Sequence, residues 1–257
     1  MTSTQPPRRR ILGFSTKMYF SHARTKSYLS SILPHLTAEQ NAQSVSSLDL
    51  FIIPDFLSLP SAVSQTRGSP LLVGAQDCHW DDTGAFTGEI SPAVLAEVGV
   101  RIVELGHAER RRLFGETDES TARKAAAAAR NGLIPLVCVG EVSRGSVDEA
   151  AREVAGQVEV VMRAVPRDKE VVLAYEPVWA IGAAEPAAAD HVVGVATRLR
   201  ALSCVADRRG PVRIVYGGSA GPGTFAKLKD GLDGLFLGRF AHDPEQFWKT
   251  IQEVATA

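Results

Sequence analysis

Short runs of β-branched and leucine residues alternate along the chain with longer segments of helical periodicity. Eight such runs are visible, at residues 11–14, 48–53, 71–75, 101–105, 134–139, 171–175, 212–216 and 235–237. Most of the runs are almost continuously apolar, which is typical of parallel strands that are covered on both faces. The pattern therefore predicts eight buried strands joined by helices in repeated βαβ units.

The segments between the runs carry apolar residues three or four positions apart, which predicts amphipathic helices. Pro92 suits the first turn of one helix, and the Asn131-Gly132 pair suits the end of another. The alanine run at residues 125–129 consists of the strongest helix former and predicts a packed helix. The apolar positions of three further helices are Leu29, Ile32, Leu33 and Leu36; Val154, Val158, Val161 and Val165; and Val192, Val195, Leu199 and Leu202.

The strand–helix units follow one another without a long linker rich in proline, glycine or serine. This organisation favours an α/β protein with a single closed (β/α)8 barrel over residues 11–257, preceded by a flexible, solvated tail at residues 1–10. A doubly wound open sheet is the structural alternative, but the G-x-G-x-x-G pattern of such folds is missing after the first run. Within the tail, Arg8, Arg9 and Arg10 have a second interpretation as an anion-binding or targeting patch.

The composition is that of an ordinary globular protein. The 257 residues include 28 basic and 29 acidic side chains, which gives a net charge of −1, so no basic excess indicates a nucleic-acid partner. The three cysteines are too few and too scattered for a disulfide scaffold. No apolar stretch is long enough for a signal peptide or a membrane span. We therefore expect a cytoplasmic protein without a membrane partner.

Polar residues just after the apolar runs are the candidates for chemistry, because active sites of barrels lie at the carboxyl ends of the strands. Lys17 follows the first run, His107 the fourth and Glu176 the sixth. Amides at a helix amino end disfavour a charged imidazole, and a glutamate removed from water becomes a stronger base. Gly217 and Gly238 follow the last two runs, where glycines let backbone amides approach a phosphate. Taken singly, each residue also has an ordinary structural interpretation.

Four segments together are more specific than any of these residues alone. Residues 88–91, 105–111, 174–182 and 216–219 resemble the signature segments of the triosephosphate isomerase family and occur in the family's order. The resemblance extends from about residue 13 to residue 240. It implies a TIM barrel and an aldose–ketose isomerase of small sugar phosphates that needs neither a metal nor an organic cofactor.

The resemblance also implies a role for each candidate residue. Glu176 would take a proton from the carbon beside the substrate carbonyl, neutral His107 would polarise the carbonyl oxygen, and Lys17 would stabilise the enediolate. Glu109 would pair with Lys17. The residues implied in contacts with the phosphate are Gly182, Ser219 and Gly238.

Two loops are implied to have further functions. Residues 177–187 resemble the family's lid, with one hinge at residues 177–179 and the other near residues 185–187, and its closure would exclude water from the enediolate. Residues 76–89 resemble the family's dimerisation loop, and Thr87 matches a threonine that reaches the active site of the neighbouring subunit. We therefore expect a homodimer.

Several positions depart from the family's usual pattern. Ser15 stands in place of an asparagine, Ala108 in place of a serine, and Arg239 in place of a glycine near the phosphate. We expect Ser15 and Arg239 to belong to the substrate-binding site. The side chain of Arg239 has four possible positions: against the phosphate, filling space, against an added hydroxymethyl group, or in solvent.

Three functions follow from these features. The first is the interconversion of dihydroxyacetone phosphate and glyceraldehyde 3-phosphate through an enediolate. The second is the isomerisation of four-carbon erythrulose phosphates by the same three groups, because some residues resemble the subgroup of the family with that activity. The third is noncatalytic binding of a sugar phosphate, which is disfavoured because binding alone does not require all three groups. The residues that resemble the subgroup are Ser15, His79, Trp80, Glu104, Gly238 and Arg239.

Overall fold

The computed structural model describes residues 9–181 and 187–257, which form a closed barrel of parallel strands with helices around it. The strands are β1 (Arg10–Ser15), β2 (Leu48–Ile53), β3 (Leu71–Ala75), β4 (Ile102–Leu105), β5 (Ile134–Val139), β6 (Val171–Tyr175), β7 (Val212–Tyr216) and β8 (Gly234–Leu237). Each strand pairs with the strand that follows it, and β8 pairs with β1 to close the ring. The predicted (β/α)8 barrel is confirmed, and the predicted strands differ from those observed by at most one residue at either end.

Helices connect the strands along the outside of the barrel. They are α1 (His22–Thr37), α2 (Ala42–Ser46), α3 (Leu59–Thr66), α4 (Pro92–Val98), α5 (Ala108–Phe114), α6 (Asp118–Arg130), α7 (Val147–Ala164), α8 (Ala189–Ala201), α9 (Ser203–Ala206), α10 (Phe225–Leu228) and α11 (Pro244–Thr256). Short 3-10 helices lie at Glu39–Asn41, Phe56–Ser58, Val178–Ala180 and Arg239–His242. In the described part of the chain, no helix has the length and apolar character needed to cross a membrane.

The helix ends follow from local sequence, as predicted for α4 and α6. Ser91 caps α4 by accepting a hydrogen bond from the amide of Val94, and Pro92 occupies the first turn, where its missing N–H costs nothing. α6 contains the alanine run and ends at Arg130; Asn131 caps it, and Gly132 follows with a φ of 74°. That left-handed conformation is one that glycine adopts without strain.

The amino end of β1 differs from the prediction of a solvated tail through residue 10. Arg10 is part of β1 and is in register with Leu48 of β2. The side chain of Arg9 donates hydrogen bonds to the carbonyl groups of Ser46 and Leu48 and to Asp49. The guanidinium of Arg10 donates to the carbonyl of Val254 in α11, so both arginines are joined to the barrel. Residues 1–8 of the predicted tail lie outside the described ranges.

The interior of the barrel is a separate apolar core, because successive side chains of a strand point to opposite faces. At Gly13 the packing of this core requires a glycine, since a Cβ atom there would lie 2.3 Å from the carbonyl oxygen of Phe51. An ion pair of Arg213 with Asp49 lies nearer the amino ends of the strands. The buried residues of the interior core are Ile11, Phe51, Ile53, Ile102, Leu136, Cys138, Val172, Ala174, Val215 and Phe236.

Candidate active site

A cavity of about 550 Å³ opens at the carboxyl ends of the strands. Its polar lining comes from residues that follow β1, β4, β6, β7 and β8, which are far apart in the sequence and adjacent only in the closed barrel. The cavity therefore brings together most of the residues predicted for the site, while His107 lies beside it, with Nε2 3.6 Å from Oε2 of Glu176. Those that line it are Ser15, Lys17, Glu109, Glu176, Ser219, Gly238 and Arg239.

Hydrogen bonds fix both the side chain and the backbone of Lys17. Its ammonium group donates a hydrogen bond of 2.8 Å to Oε1 of Glu109, as predicted. Its backbone has a φ of 47°, an uncommon conformation for a residue with a Cβ atom. The side-chain amide of Gln76 donates to the Lys17 carbonyl at 2.8 Å and supports this conformation. Burial lowers the pKa of Lys17, but the contacts with Glu109 outweigh burial and raise it, so the side chain stays charged.

His107 caps the amino end of α5, and the contacts of its ring define its tautomer. Nδ1 accepts a hydrogen bond of 3.1 Å from the amide of Glu109, so the proton of a neutral ring lies on Nε2. Burial, aided by the charge of Lys17, lowers the pKa of His107 to about 4. The imidazole is therefore neutral near pH 7 and can donate a hydrogen bond from Nε2.

Glu176 directly follows β6, and its side chain is only 11% exposed. Oε2 of Glu176 lies 3.6 Å from Nε2 of His107. Burial raises the pKa of Glu176 to about 7, although the charge of Lys17 opposes the rise. The neighbouring backbone is tightly packed, since a Cβ atom at Gly140 would lie 1.8 Å from the carbonyl oxygen of Glu176. The result is a carboxylate in a fixed position with the basicity of a general base at neutral pH.

The turns after β7 and β8 form the other end of the cavity. In the loop after β7, the amides of Gly218, Ser219 and Ala220 donate no hydrogen bond to any residue of the described ranges. A Cβ atom at Gly238 would have no atom within 4 Å, so its backbone faces open space. Amides without a partner in the described ranges, beside open backbone at the adjacent strand end, are suited to a phosphate group.

The other residues predicted for the site lie at its edge, on a neighbouring loop or outside the described residues. Arg239 is exposed at the edge of the cavity and makes no hydrogen bond or ion pair within residues 9–181 and 187–257. Thr87 is exposed on the loop between β3 and α4. Gly182 and most of the second hinge of the predicted lid lie outside the described residues.

Two residues that were not predicted from the sequence hold parts of the site in place through hydrogen bonds. Gln76 binds the Lys17 carbonyl, as described above. Glu141 is completely buried and accepts hydrogen bonds from Trp179 Nε1, at 2.8 Å, and from the hydroxyl of Tyr175. Its carboxylate thereby connects the predicted first hinge to β6. Glu141 comes two residues after the end of β5. The expectation that polar residues just after a strand belong to the site, which identified Glu176, therefore applied to Glu141 as well.

Comparisons with known proteins agree with this geometry. A family model described as Triosephosphate isomerase matches residues 10–254. An L-erythrulose-1-phosphate isomerase of Pectobacterium atrosepticum is 48% identical over 254 residues, which cover 97% of both chains. Another, of Rhizobium meliloti, is 42% identical over 216 residues, covering 80% of this chain and 84% of the relative. A Triosephosphate isomerase of a Synechococcus strain is 37% identical over 253 residues, covering 96% and 98%. With a match over nearly its whole length, the chain belongs to the triosephosphate isomerase family.

Proposed function

We propose that this protein is a cofactor-independent isomerase that moves the carbonyl group of an erythrulose phosphate through an enediolate intermediate. The observation that carries the proposal is that Lys17 and Glu176 line one cavity and that Nε2 of His107 lies 3.6 Å from Oε2 of Glu176. The choice of a four-carbon substrate is supported by the relatives named L-erythrulose-1-phosphate isomerase, which are 48% and 42% identical, against 37% for the triosephosphate isomerase. The four-carbon alternative is thus better supported than the triose reaction.

The substrate's phosphate binds at the turns after β7 and β8 in this proposal. The amides of residues 218–220, which donate to nothing in the described part of the chain, donate to the phosphate oxygens, and Ser219 adds a hydroxyl group. Arg239 lies at the same end of the cavity, and its guanidinium, which has no partner among residues 9–181 and 187–257, is suited to a dianion. Of the four positions considered for this side chain, the one against the phosphate agrees best with the surroundings.

The proton transfer uses the three groups at the other end of the cavity. In L-erythrulose 1-phosphate the carbonyl is at C2, and Glu176 removes the proton of C3 as the C2 oxygen gains negative charge. His107 donates a hydrogen bond from Nε2 to that oxygen, and the ammonium group of Lys17 stabilises the enediolate. Return of the proton from Glu176 to C2, with proton exchange between the two oxygens through His107, leaves the carbonyl at C3. No electron acceptor or co-reactant is consumed.

A direct comparison of substrates tests this proposal. We expect kcat/KM for L-erythrulose 1-phosphate to exceed that for dihydroxyacetone phosphate by about tenfold or more. The reverse preference would restore the triose reaction as the function. If neither compound is isomerised but both bind, the protein is a sugar-phosphate binder and the catalytic roles are wrong.

We also propose that the protein works as a homodimer through loops that follow β1 to β4. Large apolar side chains in the segments that follow these strands are exposed: Met18 is 93% exposed, Leu57 86%, Phe114, at the end of α5, 67% and Phe86 42%. Because β1 to β4 are consecutive in the ring, their loops are neighbours at one side of the cavity. An exposed apolar surface of this kind is typical of an interface between subunits. Phe86 lies in the predicted dimerisation loop, next to Thr87.

A further inference from the structure

Glu104 is a buried carboxyl group that the proposed proton transfer does not use. It lies on β4, two residues after Ile102, so its side chain faces the interior of the barrel, and the residue is only 4% exposed. It has no ion pair within 4.0 Å in the part of the chain that the structure describes. A carboxyl group among apolar side chains is costly unless it is neutral or has a partner.

The surroundings of Glu104 connect it to the active site. Glu104 lies beneath the residues that line the cavity, and its charged form is stabilised by the hydroxyl of Ser15, which does line the cavity, and by the charge of Lys17. Burial is stronger than both and raises the pKa of Glu104 to about 8. A carboxylic acid that is mostly neutral near pH 7 can both donate and accept a hydrogen bond. A hydroxyl group of a ligand requires this combination.

The position of Glu104 in the ring corresponds to the end of a four-carbon substrate. β4 lies opposite β8 in the closed barrel, so Glu104 is across the barrel from the phosphate end at Gly238. A substrate with its phosphate at Gly238 and its C3 at Glu176 continues away from the phosphate with one more carbon. A triose phosphate ends at the reacting carbon and does not extend further. The terminal hydroxymethyl group of a bound four-carbon substrate would therefore be directed away from Gly238 and towards Glu104, whose carboxyl the Ser15 hydroxyl faces.

We propose that Glu104 and Ser15 form a subsite for the terminal hydroxymethyl group of a four-carbon sugar phosphate, and that Glu104 determines the choice between four-carbon and three-carbon substrates. This inference rests on the proposed function. Glu104 hydrogen-bonds the C4 hydroxyl, and the short side chain of Ser15 leaves room for the C4 carbon. A site that has a buried partner for a hydroxyl discriminates strongly against an analogue that lacks it, because the partner is then left unpaired.

The test compares L-erythrulose 1-phosphate with its 4-deoxy analogue, which lacks only the hydroxyl group in question. In the unmodified enzyme we expect kcat/KM to favour the hydroxylated compound by about tenfold or more. In Glu104→Leu, which keeps a similar volume in an apolar interior, this preference should fall to about twofold or less. Glu104→Gln can still donate and accept and should retain most of the preference. Ile102→Val, on the same strand and in the same interior, is the matched control and should leave the preference unchanged.

Other outcomes separate the inference from the proposed function. If Glu104→Leu lowers kcat/KM equally for both compounds, the residue is structural and the subsite is wrong, although the enzyme still isomerises erythrulose phosphate. If the unmodified enzyme isomerises neither four-carbon compound but accepts dihydroxyacetone phosphate, the proposed function itself has failed. If Glu104→Leu does not yield folded protein, Ser15→Ala tests the same subsite, and an unchanged preference there overturns the inference.

Discussion

Oε2 of Glu176 lies 3.6 Å from Nε2 of His107, yet the two side chains do not form an ion pair. The pKa of the carboxyl is raised to about 7 and that of the imidazole is lowered to about 4, both by burial. This order is the reverse of the ordinary one, in which glutamate is the stronger acid. When the pair takes up one additional proton, that proton therefore binds to Glu176, and His107 stays neutral. The enzyme thus keeps a neutral imidazole beside a carboxyl that can receive a proton, as the proposed proton transfer requires.

Shortening the base by one methylene group should damage the reaction more than it damages binding. In Glu176→Asp the carboxylate withdraws by about 1 Å from the carbon that it deprotonates, a displacement that can reduce kcat by about 100-fold. The phosphate contacts are unaffected, so KM should change by no more than about threefold. Steady-state kinetics with L-erythrulose 1-phosphate measure both quantities. A rise in KM at constant kcat would show that Glu176 binds the substrate and does not act as the base.

The ionisation of Glu176 should control the pH dependence of the free enzyme. Because a general base must be ionised, kcat/KM should fall as the pH decreases below about 7, the pKa to which burial raises this carboxyl. The substrate phosphate also titrates in this region, so a direct measurement is needed. Titration of the glutamate carboxyl carbons by NMR in the free enzyme provides it, with Glu176→Gln used to assign the signal. A pKa near 4.5 for Glu176 would contradict the prediction.

The raised pKa of Glu176 should make the protein less stable above pH 7 than a variant in which this residue cannot ionise. Between about pH 4.5 and pH 7 the folded chain retains a proton on Glu176 that the unfolded chain releases, so the free energy of unfolding falls as the pH rises through this window. Glu176→Gln lacks this dependence. Above pH 7 it should be more stable than the unmodified protein by up to about 3 kcal/mol, and below pH 4.5 the difference should disappear. Urea unfolding at several pH values measures the difference, and a gap that is constant with pH would argue against the shift.

The fold could be predicted from the sequence because its signal is local. A run such as residues 171–175 is continuously apolar, and that pattern is sufficient to define a strand covered on both faces. The tail was predicted less well, since the contacts of Arg9 join it to Ser46 and Asp49, which are distant in the sequence. No local pattern reports on such contacts.

The residues of the candidate site that could be predicted are those that directly follow a strand. Lys17 and Glu109 follow β1 and β4, and the expected pair between them is present at 2.8 Å. The support that Gln76 gives to the Lys17 backbone was not predictable, because it depends on a left-handed φ that no residue type in this segment indicates. Glu104 could be singled out only by resemblance, and its position opposite β8 became evident only in the closed ring.

Removing the guanidinium group of Arg239 should weaken the binding of every phosphorylated substrate by a similar factor. The residue lies at the phosphate end of the cavity, so in Arg239→Gln we expect KM to rise by about three- to tenfold for both L-erythrulose 1-phosphate and dihydroxyacetone phosphate. The effect should shrink at high ionic strength, because salt screens an exposed charge. Steady-state kinetics at low and high salt test this. Loss of activity confined to the four-carbon substrate would instead place Arg239 against the hydroxymethyl group.

A charge in the predicted dimerisation loop should separate the subunits. Phe86 is 42% exposed, and its ring packs against His79 with a centroid distance of 4.3 Å. In Phe86→Asp, a carboxylate would have to be buried at the interface, which costs more than the contacts of the loop can offset. We expect the unmodified protein to sediment as a dimer at micromolar concentration and the variant as a monomer.

Val142→Asp is the matched control for the dimer, because Val142 is 65% exposed but follows β5, outside the loops assigned to the interface. It should remain dimeric. If Thr87 reaches the neighbouring active site, monomeric Phe86→Asp should also lose most of its isomerase activity, and raising the protein concentration should restore activity together with dimer mass. A fully active monomer would show that each barrel completes its own site and that the exposed apolar loops have another role.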